Sequence, residues 1–294
     1  MVEKVFSYGE FEGDGVFDFC PQTDFTFCVF SDLHHGYENY NCFKCTEGLA
    51  RLQRILDESK NAEFFLSLGD FADHLSGGVQ LYEELFDFLA KKNIRLFDGA
   101  TPLQANERYL YNVVGNHEIA YTPKSDLKPF TPIVDEVGNV FAFTHKEVLF
   151  LAYDAIFSAK NGQDTPQDIL PTTSFTIPEN TLAYIRTILD KNLTNSIKSI
   201  VAFSHVCLKV IEEKAKEKLL DLLLSYRLPV YLFEGQAHRE NYQIFASEKG
   251  NFVHVFTLPA VCDNDTYNRY EVVMRKGKLL RINAYEKTFN KEQV

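Results

Sequence analysis

Five segments of the sequence carry carboxylate, amide or imidazole side chains directly after a short apolar run. They are Ser31–Gly36, Gly69–Asp73, Gly115–Glu118, Ser204–His205 and Gly235–His238. Carboxylate and amide oxygens mixed with imidazole nitrogens favour manganese, iron, zinc or cobalt over magnesium or a thiolate-preferring ion. Because Asp32 and His34 are two residues apart, both can face one side of an extended segment. The residue types therefore predict a transition-metal site.

The runs that precede these segments predict the strands that would position them. Each run is short enough for a strand and apolar at both alternations, which is typical of strands covered on both faces. In open α/β sheets, ligands bind beyond the carboxyl ends of the strands, so five strand ends would deliver ligand-type residues to one edge. Gly69, Gly115 and Gly235 are expected to let the backbone turn sharply as it leaves a strand. The runs are Phe25–Phe30, Phe64–Leu68, Tyr109–Val114, Ile200–Phe203 and Val230–Phe233, with Val148–Tyr153 as a further strand.

Helical patterns separate these strands, and the last third of the chain is rich in strands. Leucines at helical spacing, such as Leu49, Leu52 and Leu56, predict helices between the strands, and Pro178 before Glu179 predicts a helix start. The C-terminal strands are predicted at Gln243–Ala246, Phe252–Leu258, Tyr270–Met274 and Leu279–Ala284, with a hairpin turn at Lys276-Gly277. Residues 121–140 and 154–176 are interpreted as long surface loops that border the site. The pattern predicts an α/β protein with two packed sheets flanked by helices.

Charge and targeting signals narrow the class of partner. The formal net charge of the 294-residue chain is −11, which repels nucleic acid but allows a small phosphorylated substrate, because a metal reverses the local field. The N-terminus lacks the basic and apolar blocks of a signal peptide, and no apolar stretch approaches the length of a membrane span. We therefore expect a soluble, cytoplasmic protein without membrane or nucleic-acid partners. The sequence does not indicate an oligomeric state.

Six cysteines are present, and reduced thiols are the expectation for a long chain without a signal peptide. Cys42 and Cys45 form a CxxC pair, but a zinc site would need a second pair at similar spacing. Two unpaired thiols near a helix start are the preferred interpretation.

Taken in order, the segments resemble the motifs of the calcineurin-like metallophosphoesterases. The ordered set is Asp-x-His, Gly-Asp, Gly-Asn-His-Glu, a later His, and Gly-x-x-His, spread over about residues 24–260. The resemblance implies a four-layer α/β/β/α sandwich with two mixed β-sheets. It also implies one phosphoesterase domain over residues 23–290, preceded by an N-terminal extension over residues 1–22.

The resemblance further implies a site for two divalent or trivalent transition-metal ions (manganese, iron or zinc). Asp70 would bridge the metals, and the implied ligands are Asp32, His34, Asp70, Asn116, His205, Gln236 and His238. His117 and Asp70 are the implied catalytic residues, with His117 reaching the phosphate to protonate the leaving oxygen or to stabilise developing charge. The reaction would be hydrolysis of a phosphomonoester or phosphodiester.

Gln236 departs from the family pattern, which normally has a histidine there as a ligand of the second metal. A neutral amide oxygen binds these metals more weakly than imidazole, so the second site is expected to be weakened. Two alternatives follow: a degraded site on a protein-binding scaffold, or a nucleic-acid enzyme of the same family, which the acidic charge disfavours.

Some residues have a structural interpretation as well. A single histidine beside an apolar run is more often a hydrogen-bonded structural residue than a ligand. Four of the eight histidines lie in the motifs, which favours ligation or catalysis for the set. Asp73 either orients a ligand or begins a loop, and the sequence leaves both open.

Overall fold

Strands and helices alternate along the chain in the computed structural model. It describes residues 2–7, 20, 22–36, 47–73, 79–104, 106–170, 172–262 and 266–288. The strands are β1 Val2–Ser7, β2 Phe25–Phe30, β3 Phe65–Ser67, β4 Ile94–Leu96, β5 Arg108–Asn112, β6 Phe141–His145, β7 Val148–Ala152, β8 Phe157–Ser158, β9 Phe175–Thr176, β10 Ser199–Ser204, β11 Val230–Glu234, β12 Asn241–Ala246, β13 Phe252–Thr257, β14 Thr266–Arg275 and β15 Lys278–Thr288. The helices are α1 Gly48–Glu58, α2 Val79–Ala90, α3 Asn116–Ile119, α4 Pro166–Ile169, α5 Glu179–Asn192 and α6 Glu213–Ser225, with short 3-10 helices at Lys124–Leu127 and Leu208–Val210.

The strands form two large mixed sheets and one small hairpin. The first sheet has the order β1-β15-β14-β2-β3-β5-β4, and the second has the order β12-β13-β11-β10-β7-β6. In the first sheet β2, β3, β5 and β4 run parallel, and in the second β13, β11, β10 and β7 do. Strands β14, β12 and β6 pair antiparallel with these parallel groups. The parallel strands therefore end at a common edge in each sheet.

An aromatic core lies between the two sheets. Phe27 of the first sheet contacts Phe150 and Phe233 of the second, with ring centroids 5.3 and 6.2 Å apart. Phe64 also lies against Phe150, with centroids 5.1 Å apart in an edge-to-face arrangement. This layer accounts for many of the 26 phenylalanines in the chain.

The alternate residues of the same strands pack outward against helices. In β2, Cys28 and Phe30 belong to the cluster that contains Leu52 and Ile55 of α1, whereas Phe27 belongs to the inter-sheet cluster. Helices α1 and α2 contact strands of the first sheet, and α5 and α6 contact strands of the second. The four-layer α/β/β/α sandwich expected from the resemblance is confirmed, as are strands buried on both faces.

The Lys276-Gly277 hairpin turn is also confirmed. Strands β14 and β15 pair antiparallel on either side of it, and both turn residues have positive φ, +48° and +70°. Positive φ at both central residues is the requirement of a type I′ hairpin turn, whose twist matches that of the flanking strands.

Five strands were not predicted, and both predicted loops were partly wrong. Of the unpredicted strands, β1, β4 and β6 lie at sheet edges, and β8 and β9 pair with each other. Residues 121–140 and 154–176 are not simply surface loops, because Leu127 and Phe130 of the first segment and Ile156 and Phe175 of the second are buried in the core. Strand β1 lies within residues 1–22 and pairs with β15, while the boundary between an extension and a domain at residues 22 and 23 stays a prediction.

Two remaining expectations concern membranes and thiols. Among the described residues, no helix has the length and apolar character needed to cross a bilayer. Cys20, Cys28, Cys207 and Cys262 form no disulfide bond, while Cys42 and Cys45 lie outside the described residues.

The inter-sheet core predicts a large loss of stability when Phe150 is truncated. Phe150 is fully buried and also stacks on Phe143, with centroids 4.8 Å apart. Phe150→Ala is expected to lower the free energy of unfolding by about 3–5 kcal/mol through lost burial and a residual cavity. Phe86→Ala is the control, because Phe86 is 41% exposed, and its effect should stay within about 0.5 kcal/mol. Equal effects of the two variants in urea unfolding would contradict this description of the core.

Candidate active site

The carboxyl ends of five strands from both sheets meet at one rim. Asp32, Asp70 and Asn116 follow β2, β3 and β5 of the first sheet, while His205 and Gln236 follow β10 and β11 of the second. Backbone hydrogen bonds join the segments that follow neighbouring strands. Asp32 N donates to Gly69 O (3.1 Å), and Gly235 N donates to His205 O (3.0 Å). The strand-end pattern in the sequence therefore becomes a single cluster.

The glycines at the rim serve mainly to let neighbouring segments approach closely. A Cβ added at Gly115 would lie 2.0 Å from Asp70 Oδ1, and one added at Gly235 would lie 2.1 Å from Ser31 Oγ. Gly115 has φ −103°, which any residue can adopt. The expected turn-forming role holds for Gly69, whose φ is +88°, but not for Gly115.

Left-handed backbone recurs at the candidate ligands. The φ values of Asp32, His34, Asp70, Gln236 and His238 lie between +46° and +61°. Non-glycine residues seldom adopt positive φ, and such strain concentrates at functional sites where the surrounding structure holds it. These turns aim the side chains at the rim, and the sequence pattern did not predict them.

Asp32, His34 and His238 form one group of donor atoms. Asp32 Oδ1 lies 3.3 Å from His238 Nε2 and 3.9 Å from His34 Nε2. This oxygen is buried and accepts no hydrogen bond from the described residues. Two donors that each lie about 2.1 Å from one ion are roughly 3–3.5 Å apart. The Asp32–His238 distance lies in this range and the Asp32–His34 distance slightly exceeds it, so a small side-chain movement would let the group hold a transition-metal ion.

Asp70 connects this group to a second one. Its Oδ2 lies 3.6 Å from His34 Nε2 and 3.3 Å from His205 Nε2, so one carboxylate oxygen faces both histidines. His205 Nε2 also lies 2.9 Å from Asn116 Oδ1. The second group therefore offers a carboxylate, an imidazole and an amide oxygen, and it shares Asp70 with the first.

Hydrogen bonds at the far nitrogen orient each histidine ring. Asp73 Oδ2 accepts from His34 Nδ1 (3.0 Å) and from His117 Nδ1 (2.8 Å), and Leu68 O accepts from His205 Nδ1 (2.8 Å). With a proton held at Nδ1, the ring points Nε2 toward the rim, where Nε2 in its deprotonated form could bind a metal. Of the two interpretations of Asp73, the contacts therefore favour the one in which it orients a ligand.

Gln236 lies beside the second group, with its amide nitrogen turned toward it. Gln236 Nε2 donates to Asn116 Oδ1 (3.4 Å), while its Oε1 accepts from the backbone N–H of Cys207 (3.3 Å). We expected the side chain to offer its carbonyl oxygen to a metal. In this arrangement the oxygen faces the backbone instead, so ligation would require the amide to rotate.

Buried carboxylates and histidines perturb one another strongly at this rim. Burial disfavours charge on Asp70, but the surrounding His205, His117 and His34 rings lower its pKa well below the ordinary value. Burial also disfavours the charged forms of His205 and His117, yet Asp70 and its neighbours raise the pKa of each ring to about 9. The negative potential at Asp70 thus attracts protons here and would attract cations equally.

Sequence reasoning did not find the contacts of Glu118. Its buried carboxylate accepts hydrogen bonds from the backbone of Phe71, Ala72 and Gly115 and from the hydroxyl of Tyr82. The Gly-Asn-His-Glu motif was a signal for Glu118, but nothing in the sequence distinguishes Tyr82 from other residues of α2.

Comparison with known proteins places these observations in a family. The family model of the calcineurin-like phosphoesterases matches residues 25–240. The structure is similar to that of a dimetal phosphatase from Danio rerio, with a TM-score of 0.61 and 14% identity over 90% of this chain and 99% of that one. The NAD nucleotidase of Haemophilus influenzae (TM-score 0.43, 15% identity, 90% of this chain and 49% of that one) is a weaker likeness. A comparison with curated protein sequences gives no significant match.

The family match spans most of the chain and contains all five strand-end segments. It also agrees with the two-sheet architecture, which the Danio rerio phosphatase shares over nearly its whole length. The chain belongs to the calcineurin-like phosphoesterase family.

Proposed function

We propose that this protein hydrolyses a phosphomonoester or phosphodiester at a site for two transition-metal ions. Asp32, His34, Asp70 and His238 would hold one ion, and Asp70, Asn116 and His205 the other. The observation that carries the proposal is the position of Asp70 Oδ2, 3.6 Å from His34 Nε2 and 3.3 Å from His205 Nε2. A carboxylate oxygen that faces a donor group on each side is in a position to bridge two metal ions.

The donor set suits manganese, iron or zinc. Imidazole nitrogens combined with carboxylate and amide oxygens, without a thiolate, match the preferences of these ions. When bound, two such ions would stabilise both the attacking and the leaving oxygen of an in-line displacement at phosphorus.

His117 is the proposed proton donor to the leaving oxygen. Its side chain is 40% exposed, whereas those of His34 and His205 are 5% and 0% exposed, so a substrate can reach it. Asp73 fixes the ring through Nδ1, which turns Nε2 toward the Asp70 side of the site at 4.0 Å from Asp70 Oδ2. The same ring in its charged form stabilises negative charge that develops on the phosphate.

An assay panel tests the proposal and separates it from the scaffold alternative. Phosphomonoesters and phosphodiesters would be offered to the protein with manganese, iron, zinc or no added metal. Metal-dependent hydrolysis is expected, and the ester that the protein hydrolyses fastest would identify the substrate class. A protein that holds no metal and turns over no ester with any of these ions would be the scaffold instead.

Asp70→Asn is expected to abolish hydrolysis, because the neutral amide removes the charge shared between the two cation sites. Turnover and bound metal would be measured on the same preparation. Asp135→Asn is the matched control, since the Asp135 side chain is 81% exposed and pairs with Lys128 on the surface. Full turnover of the Asp70 variant with both metals in place would refute the dinuclear mechanism.

Asp73→Asn is expected to lower kcat by about 10–100-fold, the usual cost of losing a carboxylate that orients histidines. An amide oxygen could still accept from the Nδ1–H groups of His34 and His117, but it lacks the negative charge that strengthens both hydrogen bonds. Steady-state kinetics at saturating manganese would measure the effect. If kcat stays within twofold of the unsubstituted protein, Asp73 does not orient these rings.

Gln236→His is expected to tighten the second metal by about tenfold or more, since imidazole binds these ions better than an amide. Calorimetric titration of metal-stripped protein with manganese would measure the change. Gln243→His on exposed β12 is the control and should leave the affinity unchanged. Unchanged affinity of the Gln236 variant would show that this side chain does not reach the second site.

A further inference from the structure

The buried carboxylate of Glu118 connects two segments of the rim, the one that follows β3 and the one that follows β5. Its Oε1 accepts hydrogen bonds from the backbone N–H groups of Phe71 (2.7 Å) and Ala72 (3.2 Å). Its Oε2 accepts from the N–H of Gly115 (2.8 Å). The turn after Asp70 and the turn before Asn116 are therefore tied to one side chain, which is 2% exposed.

The separation of these two turns has little tolerance. The backbone N–H of His117 donates to Asp70 Oδ1 at 2.9 Å. Gly115 lies so close to Asp70 that an added Cβ would be 2.0 Å from the same oxygen. A small movement of the Glu118 carboxylate would thus change how Asp70 faces Asn116 and His117.

Tyr82 of α2 holds the Glu118 carboxylate from its other side. The Tyr82 hydroxyl donates to Glu118 Oε1 (3.0 Å) and accepts from Asn112 Nδ2 (3.2 Å). Its ring is 1% exposed and packs against Phe130, with centroids 5.2 Å apart. The hydroxyl therefore occupies a fixed point between β5, α2 and the rim.

We propose that Tyr82 is a positioning residue for the hydrolytic site, acting through Glu118 on the spacing of Asp70 from Asn116 and His117. This proposal rests on the proposed two-metal function. Three donors, Phe71 N–H, Ala72 N–H and Tyr82 O–H, converge on Glu118 Oε1, and only the hydroxyl comes from outside the metal-site segments. Without it, the carboxylate is held only by the turns whose spacing it sets.

The alternative is that Tyr82 contributes packing alone. Tyr82→Phe separates the two roles, because it keeps the ring against Phe130 and removes only the hydroxyl. Tyr267→Phe is the matched control, since Tyr267 is also buried and donates to a glutamate, Glu58, which lies at the end of α1.

The experiment compares the full-length protein with both variants by manganese titration and steady-state kinetics. Tyr82→Phe is expected to weaken manganese binding and to lower kcat, each by about tenfold, with KM within about twofold, in line with other residues that support metal ligands. Tyr267→Phe should leave metal affinity and kcat unchanged, even if it lowers the melting temperature as much as Tyr82→Phe does.

Glu118→Gln gives a second, independent reading. A glutamine can present one acceptor oxygen, so either Gly115 N–H or the Phe71–Ala72–Tyr82 donors would face an amide N–H instead. A loss of metal affinity and kcat larger than that of Tyr82→Phe is expected. The kinetic effect of Tyr82→Phe should shrink when excess manganese is added. Because bound metal also stabilises the folded state, the folded fraction is followed by circular dichroism in the same samples and should not change.

Three results would overturn the proposal. Wild-type metal affinity and kcat in Tyr82→Phe, with the unsubstituted protein active, would reject the positioning role alone. Equal losses in Tyr82→Phe and Tyr267→Phe would assign the effect to stability. If the unsubstituted protein neither binds manganese nor hydrolyses any ester, the proposed function fails together with this inference.

Discussion

The rim depends on the burial of two carboxylates, Asp32 and Asp70, in the same small volume. Both are at most 2% exposed, and isolated charges of one sign are costly to hold together away from water. Each is compensated by imidazole nitrogens at 3.3–3.9 Å, from His238 and His34 for Asp32 and from His205 and His34 for Asp70. Beside Asp70 the pKa of His205 is raised to about 9, so without cations this ring offsets the negative charge by holding a proton, and bound cations would take over that role.

Two sheets are needed to bring these charges together. Asp32 and Asp70 leave the first sheet, whereas His205 and His238 follow strands of the second. The aromatic layer centred on Phe27 and Phe150 fixes the distance between the two sheets. It therefore also fixes how far the segments that follow the strands of the first sheet lie from those that follow the strands of the second. The left-handed turns at the rim are a local strain that this large buried core can hold in place.

Much of this arrangement could be predicted from the order of residues along the chain. Strands buried on both faces have continuous apolar runs, and the ligand-type residues follow those runs directly, so the strands, the common edge and the cluster were all foreseeable. Strands β4, β8 and β9 were not, because two or three residues are too few to show a period. The edge strands β1 and β6 were not foreseen either, although the edge strand β12 was. The support of the site by Asp73, Glu118 and Tyr82 depends on contacts 36 to 47 residues apart in sequence, which no local pattern encodes.

The proposed function places Asp70 between two cations. A crystal structure of the manganese-loaded protein, with anomalous scattering data collected for the metal, tests this position most directly. Two anomalous peaks roughly 3.5–4 Å apart are expected, with the Asp70 carboxylate between them. A single peak, or peaks that do not contact Asp70, would contradict the proposed position.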